Sequence, residues 1–101
     1  MSNDEIKFLP LRLKVARIAR GYKTRMAFVN FSGIPLTTYR AHEIGSNELK
    51  ASDVVRYAKL LDISFSWLLT GEGHALDHQA NPDPEEKVVF DYILKKEKSA
   101  S

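Results

Sequence analysis

The chain has 101 residues, 44% hydrophobic and 28% charged, which is one ordinary globular domain and excludes both a large multi-domain enzyme and a fibrous or intrinsically disordered chain. There is no cysteine, so disulfides, thiolate zinc sites and thiol nucleophiles are excluded together. The net charge of +2 hides a division: residues 1–60 carry eleven Lys/Arg against five Asp/Glu, whereas residues 61–101 carry four against eight.

A chain of this size buries roughly 60 to 70% of its unfolded surface, enough for one modest core but not for a deep enclosed active site as well, which favours a binding module. No apolar run approaches the ~20 residues that span a bilayer, and MSNDEIKFLP lacks a basic stretch followed by an apolar one. The expected location is the cytoplasm, with no membrane contact. The stretch from Ile6 to Arg25 contains Lys7, Arg12, Lys14, Arg17, Arg20, Lys23 and Arg25 without an acidic residue. Such a concentration is expected either where phosphates are approached or on a helix face closed by internal salt bridges.

After an N-terminal arm (1–9), the segment LPLRLKVARIARG spaces Leu9, Leu13 and Ala16 helically, with Pro10 in the first turn and Gly21 at the stop. Thr24 is the expected N-cap of a second, two-turn helix, RMAFVNFS, ended by Gly33. A third helix begins beside Pro35, points Ile34 and Tyr39 inward and ends at Gly45. Two short helices joined by a tight glycine turn form a helix-turn-helix unit. Ser52 is the expected cap of a fourth helix with core candidates Val54, Val55, Tyr57, Ala58 and Leu61. Ser64 caps a short fifth, with Phe65, Trp67, Leu68 and Leu69 as its core candidates. The stretch 74–83, with its prolines and polar residues, reads as a linker in which order falls. Asp83, Pro84 and Glu86 then start a last helix, and residues 84–101 form a C-terminal helix and tail. No strand pattern competes, so the expected class is all-α.

Catalytic chemistry is sparse. No nucleophile, base and orienting group share a spacing, and there is no glycine-rich phosphate loop, so a non-enzymatic chain without a cofactor is expected. His74, Asp77 and His78 are near neighbours in linker-like sequence without a further strong ligand, which reads as solvated histidines and no metal site. His42 reads as a packed side chain.

From about Arg12 to Gly73 the chain resembles the Cro/CI-type (Xre-type) helix-turn-helix domain of bacterial and phage regulators. The resemblance is carried by RLKVARIARG, by TRMAFVNFSGIPLTTYRAHEIG and by VVRYAKLLDISFSWLLTGEG. It implies a compact five-helix, λ-repressor-like DNA-binding domain over 10–73, with the last helix appended. It also implies a sequence-specific double-stranded DNA-binding regulator, acting as a repressor and a homodimer on an inverted-repeat operator. Its third helix is then the recognition helix, with Leu36, Thr37, Arg40 and Ala41 as candidates for base contacts. Thr24, Arg25, Thr38, Ser46, Asn47 and Lys50 become candidates for phosphate contacts, Arg25 standing where the family usually has a glutamine. Arg17 and Glu43 are implied as a buried structural ion pair.

Leu36, where family members often carry a hydrogen-bonding residue, and the acidic second half feed the alternative of a protein-interaction module, such as the antitoxin of a toxin-antitoxin pair. In the last helix Val88, Val89, Tyr92 and Ile93 line one face, with Phe90 and Leu94 widening it. That face is the expected dimerisation element or protein-partner surface, and truncation after Asn81 is expected to leave the domain before it folded.

Overall fold

A computed structural model of the protein describes residues 7–100, all helix and connecting turns, with no strand among them. The helices are α1 (Leu9–Ala19), α2 (Arg25–Ser32), α3 (Leu36–Ile44), α4 (Ala51–Leu61), α5 (Phe65–Thr70) and α6 (Pro84–Ala100). Local chemistry sets most of their ends. Thr24 Oγ1 accepts from the Ala27 amide and Ser64 Oγ from the Trp67 amide, satisfying donors that a helix N-terminus leaves without partners. Gly33 closes α2 at φ 77°, a conformation that side-chain-bearing residues rarely adopt, and its N–H bonds back to the Val29 carbonyl. Only Ile34 and Pro35 then separate the two helices of the turn.

Leu13, Val15 and Ala16 of α1, Phe28 of α2, Tyr39 of α3, Val54, Tyr57 and Leu61 of α4 and Leu68 of α5 form the centre of the core. Phe28 lies 4.9 Å from Tyr39, ring centroid to centroid, and Tyr39 meets Tyr57 edge-on at 5.7 Å.

The structure departs from the sequence reading at four places. Ser52 does not cap α4: Lys50 occupies the N-cap, and the Asp53 carboxylate accepts from its N–H at 2.9 Å. Val55 and Phe65 are 40% and 39% exposed rather than core. Val54, Tyr57, Ala58 and Leu61 already complete the inward stripe of α4, and Val55 stands about 100° round from Val54.

The start of the segment 74–83 is packed, while most of 77–83 is exposed. Ala75 and Leu76 are fully buried, the Ala75 carbonyl accepts from the Ser64 N–H, and the Asp77 carboxylate accepts from the His74 N–H.

Finally, α6 folds back along α1. Phe90 is buried edge-on to Trp67, with centroids 6.2 Å apart and the Arg20 guanidinium 5.3 Å over its ring. Ile93, an expected dimer contact, packs with Leu94 against the core, while Val88, Val89 and Tyr92 stay exposed. Ala75, Leu76 and Phe90 thus join the core of the preceding helices, and truncation after Asn81 would remove Phe90, Ile93 and Leu94 from it. Of the N-terminal arm, residues 1–6 lie outside the described residues, and Leu9 already belongs to α1.

Candidate nucleic-acid interface

Much of the basic N-terminal stretch is turned inward. Arg12 is buried and donates from Nε to the Leu68 carbonyl and from Nη2 to the Leu69 carbonyl, both at 2.9 Å. It thereby caps the C-terminal end of α5, where carbonyls lack helical partners and carry partial negative charge. Arg20 donates to the Leu61 carbonyl at 2.8 Å and pairs with Glu86 at 3.1 Å, and Lys14 pairs with Glu97 at 3.1 Å. Lys7 and Lys23 are exposed and form no ion pair with the described residues.

Glu43 is the fixed point of α3. Its buried carboxylate accepts from Arg17 Nε at 2.7 Å, from the Tyr39 hydroxyl at 2.8 Å and from Arg25 Nε. Burial alone would raise the carboxyl's pKa, but the hydrogen bonds from Arg17, Arg25 and Tyr39, with the Arg17 charge, outweigh it and hold the group below the usual range. Burial, with the Glu43 charge beside it, pushes the Tyr39 hydroxyl far up, so it stays protonated and able to donate. The expected pair of Arg17 and Glu43 is present.

Arg25 is found differently from the expectation. It is half-buried and its Nε is bonded to Glu43, so it serves as a strut between α2 and α3 with only the rest of its guanidinium able to meet a phosphate. Next to Glu43 in the chain, His42 Nδ1 lies 2.8 Å from the Tyr57 hydroxyl, whose pKa burial and the Asp53 charge push up to about 12. As expected, His42 is a packed side chain.

With its inner side held by Tyr39, His42 and Glu43, α3 presents a defined outer side. Thr37 and Arg40 are exposed on it, Ala41 is half-buried, and Leu36 and Thr38 are exposed at its edges. Ile44, 49% exposed, continues the stripe of Thr37, Arg40 and Ala41 at the i, i+3, i+4, i+7 spacing. Sequence reasoning missed it, although the seven-residue interval from Thr37 marks it. Ser46 and Asn47 form the exposed turn after α3, their amides donating to the Ala41 carbonyl at 3.0 and 3.2 Å. Thr24 is exposed, and its Oγ1 accepts from the Ala27 amide as the helix cap while its O–H remains able to donate. Arg40, Lys50 and Arg56 are exposed and form no ion pair with the described residues.

The linker histidines are engaged rather than merely solvated. His74 Nε2 lies 2.9 Å from Asp91, and His78 Nε2 lies 2.8 Å from Asp62. The His78 hydrogen bond is the main cause that lowers the Asp62 carboxyl, helped by the His78 and Arg20 charges. Among the described residues no three His, Asp or Glu gather as they would around a metal ion, and no helix is long and apolar enough to cross a membrane.

The chain matches no protein-family model, no curated protein and no solved structure.

Proposed function

We propose that this chain is a sequence-specific, non-enzymatic, double-stranded DNA-binding regulator with a λ-repressor-like arrangement of its first five helices, and that it represses by occupying promoter DNA as a homodimer. The observation that carries the reading is the contrast between the two sides of α3. The inner side is clamped by Glu43, Tyr39 and His42, while Thr37 and Arg40 stand exposed on the outer side, which preorganises a surface for a groove. With α3 in the major groove, Arg40 suits guanine O6 and N7, Thr37 suits a base edge, and Leu36, Ala41 and Ile44 suit thymine methyl groups. Lys23, Lys50 and Arg56, with Thr38, Ser46 and Asn47, supply backbone contacts, and Arg25 adds whatever guanidinium N–H groups Glu43 leaves free.

The rival reading, a protein-interaction module, drew on Leu36 and the acidic second half. Two of those acids, Glu86 and Glu97, form ion pairs with Arg20 and Lys14 of the same chain, and Asp62 and Asp91 hydrogen-bond to His78 and His74, so part of the acidic half is engaged internally.

Selection of bound sequences from random duplex DNA tests the proposal. Thr37→Ala and Arg40→Ala should each cost about 1–3 kcal/mol on the selected site and much less on random duplex. Failure to enrich any sequence overturns the proposal, and a uniform loss across duplexes moves both residues to the phosphate-contacting group.

A further inference from the structure

The 17-residue helix α6 turns Phe90, Ile93 and Leu94 toward the core. At about 100° per residue its opposite side carries Glu85, Val88, Tyr92, Lys95 and Ser99, the alternating three- and four-residue spacing of a coiled-coil seam. Val88 and Tyr92 are each 66% exposed, and Val89 beside them is 44% exposed. The seam is apolar in the middle, acidic at its start and basic at its end.

The neighbouring charges on the inner edge are used within the chain, Glu86 by Arg20 and Glu97 by Lys14, and Asp91 on the flank lies against His74. Glu85 and Lys95 form no ion pair with the described residues.

We propose that this seam pairs with the same seam of a second copy, the two helices running antiparallel about a two-fold axis. Val88 then meets the partner's Tyr92, and Glu85 meets the partner's Lys95, each contact occurring twice as an isologous interface requires. A parallel pairing sets Glu85 against the partner's Glu85 and Lys95 against the partner's Lys95, so the charge order selects the antiparallel arrangement. Two apolar layers bury little surface, and the association is accordingly weak in free solution. It gains strength when DNA holds two copies close together.

The inference deepens the homodimer of the proposed function, yet it is measured without DNA, so either can fail alone. Sedimentation equilibrium at low salt, with protein concentrations up to about 1 mM, should show a monomer-dimer equilibrium. Glu85→Lys and Lys95→Glu, each alone, place like charges at both ends of the seam and should weaken dimerisation about tenfold or more. A one-to-one mixture of these two variants restores opposite charges at both ends and should dimerise again. Tyr92→Glu should be monomeric with an unchanged circular dichroism spectrum. A wild-type chain that stays monomeric, single variants that dimerise like the wild type, or a mixture that does not recover overturns the proposal.

Discussion

Glu43→Ala should lower the unfolding free energy by about 3–5 kcal/mol in denaturant titration, because it strands the buried Arg17 guanidinium without its counter-charge. The exposed control Glu48→Ala should change it by no more than about 0.5 kcal/mol. Arg25 and the Tyr39 hydroxyl lose the same acceptor, so α3 loosens from both α1 and α2. Acid titration provides a second readout. The folded state holds the Glu43 carboxyl below its ordinary value of 4.5, so it favours the ionised form. The resulting stability is present above that pH and is lost as pH falls through the folded value. Glu43→Gln should therefore flatten this acidic limb while lowering stability at neutral pH. If Glu43→Ala melts like Glu48→Ala, the carboxylate is not what anchors α3.

Phe90→Ala should cost about 3–5 kcal/mol by the same measurement, since it removes a fully buried aromatic ring and leaves a cavity between Trp67 and Arg20. Val88→Ala, on the outer side of the same helix, should be within about 0.5 kcal/mol of wild type at concentrations where the chain is monomeric. Removal of everything after Asn81 should be worse than Phe90→Ala, because it also uncovers the surface against which Ile93 and Leu94 pack. A truncated chain with wild-type stability would show that α6 contributes nothing to the core.

Both predictions turn on groups whose roles were unequally legible in the sequence. The helices, their caps at Thr24 and Ser64 and the glycine stops at Gly33 and Gly45 were readable, because capping and helical periodicity are contacts among residues three or four apart. The inward Tyr39 was readable on the same ground, whereas the outward Thr37 and Arg40, the half-buried Ala41 and the Arg17 and Glu43 pair were available from the family resemblance.

Arg12, Arg20 and Arg25 were not. An arginine reads alike in sequence whether it meets a phosphate, water or a carbonyl, and the Arg12 acceptors stand 56 and 57 residues away. The tight segment around Ala75 and Leu76 was hidden because its polar and proline-rich composition is also that of a loose linker, and only the bond from Ser64 and the burial of the two side chains distinguish the two. In α6 the apolar residues run too far around the helix to identify one inner side.

The sequence by itself therefore determined an all-helical chain, most of its helix limits and the inward Tyr39 of α3. Only the tertiary structure decided which charges were consumed internally and which side of α6 faced the core, because both depend on contacts between segments distant along the chain and not on the local spacing of residues.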